Sequence, residues 1–454
     1  MASDVSELKG YSKIRGKREL MMPAKRLSLT FLATMALVVS VVVSACSSQS
    51  AQQPATSSQP TQAASSQKPA AEPEKKPAAS DKPVAEKKAE AVPGVTADSI
   101  LLGSYQPMTG NESAYFRMGK GADAYYKYVN ENGGVNGRKI NFKMVDDGYQ
   151  PAKTTAVVKQ FVEQDHVFAI ADPLGTAPTM AVVDYIVDQK VPLIGPGSGA
   201  SKVVNSTSKY VFPLYPNYVR EGQVLAKFAQ QNFKATKLAM IYQNDQSGKD
   251  DLSGLQEGAQ KNNQQVVSTQ GYEVKDVDVS AQVLKVKEAN PDALVVFAAP
   301  EHFAKILTER KKLGWNVPTV ASFVGLDDVI FKLAGPDAAN GVYISTIFKL
   351  PDSDDPQIKQ FREIMKKYYP QEEPSLIHMW GYAGAQVTVE GLKRAGKDLT
   401  RDNFISALET LKDWDGSLAY KVTLAPGKHL IQRSLGFVQA QNGKFKMSGD
   451  FVEP

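Results

Sequence analysis

Cysteine is nearly absent from this chain of 454 residues, which contains one, Cys46. A single thiol excludes an intrachain disulfide and a metal site built from cysteines. Histidine is also scarce, and its four positions have no spacing typical of metal ligands. We expect the histidines on surfaces or at hinges, with no bound metal and no cofactor; they are His166, His302, His378 and His429. The fold must therefore be stabilised by its apolar core.

A strong net charge is missing as well. The formal charge of the chain is +5, but residues 1–45 hold seven Lys and Arg against three Asp and Glu, so four of the five charges fall there and the rest carries +1. Such a chain lacks the basic surface that nucleic-acid binding requires. The hydrolase motifs Gly-x-Ser-x-Gly and His-Glu-x-x-His are absent too. We therefore predict neither a nucleic-acid-binding protein nor an enzyme.

Residues 1–45 have the features of a secretion signal. Two basic residues precede an apolar run at 27–43, which is short for a membrane span, and two small residues follow it directly before Cys46. This order is typical of a bacterial lipoprotein signal, so we predict its removal and a lipid on Cys46 at the new N-terminus. A free cysteine in an uncleaved membrane helix is the alternative. A start at Met21 or the residue after it is more typical of such a signal and would make residues 1–20 a start-site misassignment.

Residues 46–93 contain no aromatic residue and consist mainly of Ser, Gln, Pro, Ala, Lys and Glu. A segment so poor in apolar side chains cannot offset its ordering entropy by burial, so we predict a disordered linker. As a flexible coil it would span about 40 Å. We therefore expect the lipid on Cys46 to tether the following domain outside the cytoplasmic membrane.

From residue 98 onwards the chain alternates between apolar, strand-like runs and helical patterns. Repeated βα units of this kind predict parallel sheets with helices on both faces, an α/β architecture. The strands are too numerous for one ordinary sheet, so we expect two lobes. Strands are predicted at 99–105, 140–145, 167–171, 191–194, 238–242, 266–272, 293–297, 317–321 and 342–346. The clearest helices are predicted at 151–164, 221–232, 281–288 and 302–313.

Two loops that follow predicted strands are rich in small residues. Their central residues are Leu174, Gly175 and Thr176 in the first loop and Gly197, Ser198 and Gly199 in the second. In parallel sheets, ligands bind beyond the carboxyl ends of the strands, where free N–H groups at helix N-termini suit an anion. Glycine lets a ligand approach the backbone, and Thr176 and Ser198 add hydroxyl donors. We predict that both loops contact a ligand, with ordinary unliganded turns as the alternative.

Several short motifs spread over residues 94–454 form a recognisable set. The most specific one is Asn-Glu-Asn-Gly-Gly-Val-Asn-Gly-Arg at 130–138, which follows the first predicted helix. The others lie at 100–110, 119–121, 146–151, 191–196, 244–250 and 380–383. Over this whole region the chain resembles the branched-chain amino-acid type of extracytoplasmic solute-binding lipoprotein, which serves ATP-binding-cassette (ABC) importers.

The resemblance implies a type I periplasmic-binding fold. Its two doubly wound parallel-sheet lobes are joined by a three-strand hinge and close on a small molecule. Lobe 1 is expected at 98–215 plus 348–420, and lobe 2 at 216–347 plus 421–454. The resemblance further implies a monomer that delivers its solute to the permease and ATPase subunits of an importer. A tethered chemosensory or regulatory receptor of the same fold is the alternative.

The resemblance also implies ligand contacts. Tyr115 matches an aromatic residue that packs beside the ligand, and the two glycine-rich loops match those that hold an α-carboxylate. Gly199 stands where a carboxylate-binding Thr is common, so Ser198 or Thr176 is expected to replace that hydroxyl. Ser247 stands where an aromatic residue is frequent, which would enlarge the pocket or make it more polar.

Phe323 is the most informative departure from the family pattern. Amino-acid binders have an acid at the matching position, which pairs with the ligand ammonium, and a desolvated unpaired charge costs several kcal/mol. An apolar residue there predicts a carboxylate-bearing or other small apolar-bodied ligand without an α-ammonium. A branched-chain amino acid is the alternative, because a shifted alignment makes Asp327 or Asp328 the acid.

Five further residues have two interpretations each. Arg117 meets an anionic ligand or lies solvated on the first helix. Trp380 and Tyr382 line the cleft or pack in the core. Tyr215 and Tyr218 touch the ligand or pack the hinge.

Overall fold

The structure is a computed structural model that describes residues 91–451. The predicted signal peptide, the lipid on Cys46 and most of the predicted linker lie outside these residues. Between residues 91 and 451, none of the helices is long and apolar enough to cross a membrane.

The first of two sheets is entirely parallel. Its strands are β1 (Ser99–Gln106), β2 (Lys139–Asp146), β3 (Ala169–Ala171), β4 (Leu193–Ile194) and β5 (Val211–Phe212). They lie in the order β2-β1-β3-β4-β5, so the strand order reverses between β1 and β3. Apolar strands buried on both faces by helices explain why the sequence reads as continuous apolar runs here.

The second sheet repeats this order and then departs from it. Its strands are β6 (Lys237–Gln243), β7 (Gln265–Tyr272), β8 (Ala293–Phe297), β9 (Thr319–Ala321), β10 (Tyr343–Thr346), β11 (Gly436–Gln441) and β12 (Lys444–Met447). They lie in the order β7-β6-β8-β9-β10-β11-β12, and the first five are parallel. The last two strands are antiparallel to their neighbours, which corrects the expectation of a purely parallel second sheet. The chain leaves β10 and returns to β11 at the same end of the sheet, so β11 must run in the opposite direction.

Helices cover both faces of the sheets. In chain order they are α1 (Phe116–Glu131), α2 (Pro151–Lys159), α3 (Thr176–Asp188), α4 (Ser201–Val204), α5 (Tyr218–Phe233), α6 (Gln246–Lys261), α7 (Ser280–Glu288), α8 (Pro300–Lys312), α9 (Val329–Ala334), α10 (Pro336–Ala339), α11 (Pro356–Tyr368), α12 (Leu376–Ala395) and α13 (Arg401–Leu408). Two 3₁₀ turns, Ser113–Tyr115 and Phe323–Gly325, lie beside the candidate site. The helix predicted at 151–164 ends in a π-helical turn, Gln160–Gln164.

The two lobes each contain one sheet. Lobe 1 consists of the five-stranded sheet with α1–α4 and α11–α13, and lobe 2 of the seven-stranded sheet with α5–α10. The chain crosses between them three times, and the crossing segments lie side by side. The backbone N–H of Ile431 donates to Pro213 O (2.9 Å), and Gln432 Nε2 donates to Ile347 O (2.7 Å).

The third crossing lies later than predicted. It runs through Ile431 and Gln432, whereas the lobe boundary was expected at residue 421. The residues before it stay with lobe 1: Ser417 Oγ donates to Ala383 O of α12 (3.2 Å), and His429 Nδ1 lies 3.1 Å from Val211 O of β5. The boundary at residue 421 was therefore wrong by about ten residues.

Helices α1 and α12 pack against each other at glycines. A Cβ at Gly121 would overlap the carbonyl oxygen of His378, and a Cβ at Gly381 would overlap that of Met118. Larger residues would force the two helices apart. This close contact fixes the position of Trp380 in α12 relative to Tyr115, which directly precedes α1; their ring centroids are 6.1 Å apart.

Candidate ligand-binding site

A small cavity of about 30 Å³ lies where the strand-end loops of the two lobes meet. This is the carboxyl end of both sheets, next to the points where the strand order reverses, and ligands of open α/β sheets bind at such points. The lining residues are Tyr115, Tyr149, Leu174, Gly175, Thr176, Gly197, Tyr215 and Trp380 from lobe 1, and Tyr218, Gln243, Ser247, Phe297, Ala299 and Val324 from lobe 2.

The two small-residue loops of lobe 1 are joined by backbone hydrogen bonds. The backbone N–H of Gly197 donates to Pro173 O (2.8 Å), and that of Gly175 donates to Gly197 O (3.3 Å). Gly175 has φ +116°, and a Cβ there would lie 2.7 Å from the ring of Tyr149. Glycine is therefore required at this position by both its backbone conformation and the close approach of the tyrosine.

Two hydroxyl groups meet in the wall formed by these loops. Thr176 Oγ1 and Ser198 Oγ are 2.9 Å apart, and both residues are buried. Thr176 begins α3 and lines the cavity, whereas Ser198 lies behind it. When Ser198 donates to Thr176, the hydroxyl of Thr176 is free to donate to a ligand. Ser198 thus positions the hydroxyl that faces the cavity.

Aromatic rings from both lobes form much of the remaining wall. Tyr215 packs edge-on against Trp380 with centroids 5.2 Å apart, and Tyr218 packs edge-on against Phe297 at 5.1 Å. Burial raises the pKa of each tyrosine in the wall, so their phenols stay neutral at physiological pH; these are Tyr115, Tyr149, Tyr215 and Tyr218. The hydroxyl of Tyr115 donates to Val324 O (2.8 Å) and so links the lobes directly.

The lining residues include no Asp, Glu, Lys, Arg or His. Three helices begin beside the cavity: α3 at Thr176, α6 at Gln246 and α8 at Pro300. Helix N-termini carry a partial positive charge and free N–H groups, which favour an anionic group. Asp245 caps α6 by accepting from the backbone N–H of Ser247 (2.9 Å), which offsets the charge of that one terminus. The cavity wall itself therefore carries no charged side chain, and the nearest acids, Asp245 and Glu112, lie outside the lining.

Six of the nine predicted ligand-contact residues line this cavity. They are Tyr115, Leu174, Gly175, Thr176, Gly197 and Ser247. Ser198, Gly199 and Phe323 lie beside the cavity without lining it, so their direct contact with a ligand stays a prediction. Among the five residues with two interpretations, Tyr215, Tyr218 and Trp380 line the cavity. Tyr382 instead packs in the core, between the rings of Tyr125 and Phe361.

Gly199 is constrained by the first crossing segment. A Cβ at Gly199 would overlap the carbonyl oxygen of Pro216 and would lie 2.8 Å from the ring of Tyr218. The backbone N–H of Tyr218 donates to Gly199 O (2.9 Å). A threonine could therefore not occupy this position without moving the crossing segment, which explains the departure from the family pattern in physical terms.

The ring of Phe323 points behind the cavity wall. It packs perpendicular to Tyr215 at 5.2 Å and to Trp380 at 6.1 Å. Its backbone N–H donates to Glu221 Oε1 (3.0 Å), and Glu221 is fully buried. Glu221 therefore anchors the 3₁₀ turn, and Val324, the next residue, faces the cavity.

Neither candidate acid for a ligand ammonium lines the cavity. Asp327 Oδ1 accepts from Arg117 Nη1 (2.5 Å) and from the backbone N–H of Val329 (2.8 Å). Burial, and the nearby Asp327, raise the pKa of Asp328 to about 6. Both acids line a separate surface depression. Arg117 does not line the cavity; its side chain is partly exposed and pairs with Asp327.

Sequence reasoning missed five lining residues, namely Tyr149, Gln243, Phe297, Ala299 and Val324. A signal existed for three of them. Phe297 ends a predicted strand, Ala299 follows it, and Gln243 follows another. The strand-end rule that selected the loops of lobe 1 would have selected these positions in lobe 2.

The expectation that the histidines lie on surfaces or at hinges was wrong for two of them. His302 and His378 are fully buried, whereas His166 is exposed and His429 is buried beside the third crossing. His378 accepts the backbone N–H of Ser375 (3.2 Å) in a capping box of α12, and burial lowers its pKa to about 3. Between residues 91 and 451, no group of three or more His, Cys, Asp or Glu is placed to hold a metal ion.

Comparison with known proteins identifies the class. The model of a periplasmic binding protein family matches residues 99–444. The leucine-, isoleucine-, valine-, threonine-, and alanine-binding protein of Pseudomonas aeruginosa is 24% identical over 67% of this chain and 80% of its own length. A solved branched chain amino acid ABC transporter structure from Thermus thermophilus with bound valine covers 79% of this chain and 97% of its own, with 20% identity and a TM-score of 0.72. An R. palustris solute binding protein of an ABC transporter in complex with benzoate covers 78% and 98%, with 18% identity and a TM-score of 0.71.

The fold and the site define a two-lobed protein with a cavity between its lobes. The chain belongs to the periplasmic binding protein family. The resemblance to the branched-chain type and the type I periplasmic-binding fold are thereby confirmed. Proteins of this family bind solutes for ABC transporters outside the cytoplasmic membrane and are not enzymes.

Proposed function

We propose that this protein captures a small solute that bears a carboxylate and lacks an α-ammonium, and that it delivers this solute to an ABC importer by closing its two lobes. The absence of a charged side chain among the fourteen lining residues carries the proposal. A chemosensory role is the less favoured alternative, because the relatives include ABC-transporter proteins.

The carboxylate would bind at the wall formed by the two loops of lobe 1. The N-terminus of α3 and the hydroxyl of Thr176 face the cavity there. A hydrogen bond to a charged group contributes roughly 1.5–3 kcal/mol. Backbone N–H groups at a helix N-terminus favour an anion without requiring a lysine or arginine.

An α-ammonium would be unfavourable in the closed cavity. It would lose its hydration and find neutral phenols, amides and apolar side chains instead of a carboxylate. Asp327 is already paired with Arg117, so its recruitment would break an ion pair between the lobes. A branched-chain amino acid therefore stays the alternative rather than the proposal.

The body of the solute would be apolar. Leu174, Phe297, Val324 and Trp380 present apolar surface to the cavity. The solved structures similar to this chain include both kinds of solute. The R. palustris protein holds benzoate, which has no ammonium, and the T. thermophilus protein holds valine, which has one. The absence of charged lining residues in this chain favours a solute without an ammonium.

The sequence supports membrane attachment of the same protein. Cys46 directly follows the predicted lipoprotein signal, and residues 46–93 have the composition of a polar tether. A lipid on Cys46 would keep the binding domain near the permease, and the tether would let it reach the importer. Attachment of this kind raises the local concentration of the protein at the membrane.

A thermal-shift screen with matched pairs tests the ligand class. Each pair shares its apolar body: leucine with α-ketoisocaproate, valine with isovalerate, and phenylalanine with phenylpropionate. A ligand at 100 times its Kd stabilises by about 2.7 kcal/mol, which raises the melting temperature by several degrees. We expect the member without the ammonium to give the larger shift. Micromolar leucine binding by the parent protein would contradict the proposal.

A further inference from the structure

Glu112 is a buried acid that the ligand site does not use. It directly precedes the 3₁₀ turn Ser113–Tyr115 and is 1% exposed. Neither of its carboxylate oxygens has a hydrogen-bond partner. It does not line the cavity. A buried carboxylate without a partner is strongly disfavoured in its charged form.

A second acid faces Glu112 from the other lobe. Glu301 lies in the first turn of α8 and is half-buried, and its Oε2 also has no partner. The lobes are joined on both sides of Glu112, because Asn111 Nδ2 donates to Val274 O (2.7 Å) and the hydroxyl of Tyr115 donates to Val324 O (2.8 Å). The burial of Glu112 therefore depends on the lobes being together.

Few groups around Glu112 can compensate a negative charge. Glu301 on α8 and Asp245 at the start of α6 raise its pKa, and Lys305 on α8 lowers it. Lys305 donates to the backbone carbonyl of Asp276 (3.2 Å). The other titratable neighbours are neutral phenols whose own pKa is raised mainly by burial, namely Tyr115, Tyr149 and Tyr272.

Burial is the largest influence on both acids. It raises the pKa of Glu112 well above 4.5, with the charge of Glu301 acting in the same direction. Burial also raises the pKa of Glu301, against hydrogen bonds from its own backbone and that of Ala114. When the lobes separate, both carboxylates meet water and return towards ordinary values.

We propose that closing the lobes takes up one proton from solvent at Glu112, facing Glu301, and that opening releases it. The inference rests on lobe closure, which is part of the proposed function, but not on the identity of the solute. Because the closed state binds more protons, acid favours closure. For one proton, the ratio of closed to open protein changes by at most about tenfold per pH unit. This change is confined to pH values between the ordinary pKa of Glu112 in the open state and its raised pKa in the closed state.

Small-angle X-ray scattering of the ligand-free protein tests this without a solute. We expect the radius of gyration to fall between pH 8 and pH 5.5 in the parent. Glu112→Gln replaces the titrating group by a neutral one of the same shape, so it is expected to be compact at both pH values. Glu112→Asp keeps the titrating group and is expected to retain the pH response.

Asp251→Asn is the matched control. Asp251 is fully buried, and neither of its carboxylate oxygens has a partner, but it lies on α6 of lobe 2 where that helix packs against α5 of the same lobe. We expect the radius of gyration of this variant to depend on pH as it does in the parent. Circular dichroism at each pH confirms that the variants are folded.

Three results would overturn the proton linkage. The first is a radius of gyration that does not depend on pH in the parent, and the second is an unchanged pH dependence in Glu112→Gln. The third is a contraction when Na⁺ replaces choline at constant pH and ionic strength, which would assign the site to a metal cation. Because no solute is present, a wrong solute class would leave all these readouts unchanged. The failure of this inference and the failure of the ligand proposal are thus distinguishable.

Discussion

Arg117 Nη1 and Asp327 Oδ1, 2.5 Å apart, join helix α1 of lobe 1 to the segment before α9 of lobe 2. The side chain of Asp327 is fully buried, whereas that of Arg117 is 24% exposed. Glu372 lies farther from the guanidinium, at 3.9 Å. The pair spans the two lobes, so separation of the lobes would break it.

Loss of this ion pair should weaken ligand capture. Arg117→Gln leaves the buried Asp327 without its cation. Truncating one partner of a buried charge pair typically costs at least about 2 kcal/mol, so we expect a loss of affinity of about 30-fold or more. Arg117→Gln combined with Asp327→Asn removes both charges and should recover part of the loss. Calorimetry with the strongest ligand of the screen measures both variants, and equal affinities for all three proteins would contradict a closed-state role.

The two loop hydroxyls should contribute to binding of the carboxylate. Thr176→Ala removes the hydroxyl that faces the cavity, and Ser198→Ala removes the group that positions it. Each loss should weaken affinity by about one to two decades, since a charge-assisted hydrogen bond is worth roughly 1.5–3 kcal/mol. Thr155→Ala, whose hydroxyl donates to Pro151 O within α2, is the control. Parent-like binding by both loop variants would mean that the carboxylate binds elsewhere.

Glu221 should make the protein less stable as pH rises. Burial raises its pKa to about 7 from an ordinary 4.5, despite hydrogen bonds from Ser345, Phe323 and Ser322. The folded state therefore holds a proton that the unfolded state has lost, so stability is full below pH 4.5 and declines as pH rises through 7. Glu221→Gln should flatten the melting temperature between pH 5 and pH 8. Asp354→Asn, at a side chain that is 98% exposed, should leave the slope unchanged.

Cys46→Ala tests the lipid anchor. The variant should accumulate as unprocessed precursor or untethered protein, because the residue that would be lipidated is absent. Metabolic labelling with a fatty-acid precursor measures this directly. Unchanged labelling in the variant would contradict lipidation at this position.

The sequence allowed the prediction of elements whose signal is local. The strand at 293–297 is a continuous apolar run, and β8 has these bounds. The two-residue strand β5 has no periodicity to detect, and α12 is buried on nearly all sides, so it lacks the amphipathic stripe of a surface helix. The third crossing depends on contacts of His429 with residues more than 200 positions earlier, which no local pattern reports.

The part of the candidate site that was predicted from the sequence lies mainly in lobe 1, with Ser247 as the predicted residue of lobe 2. The loops around Gly175 and Gly197 follow strands and carry a recognisable composition. The orientation of neighbouring side chains in the turn Phe323–Gly325 could not be read from the sequence, because a shift of one residue exchanges Phe323 for Val324 at the cavity wall. The pairing of Asp327 likewise depends on Arg117, which is 210 residues away.

The glycine contact between α1 and α12 limits how this protein can acquire a new specificity. Gly121 and Gly381 leave no room for either helix to shift towards the other, so Tyr115 and Trp380 form a rigid part of the wall. A solute of different shape must therefore be accommodated opposite them. Substitutions that retune the pocket are expected at lobe 2 positions such as Ser247 and Val324, while the lobe 1 wall serves as a fixed template.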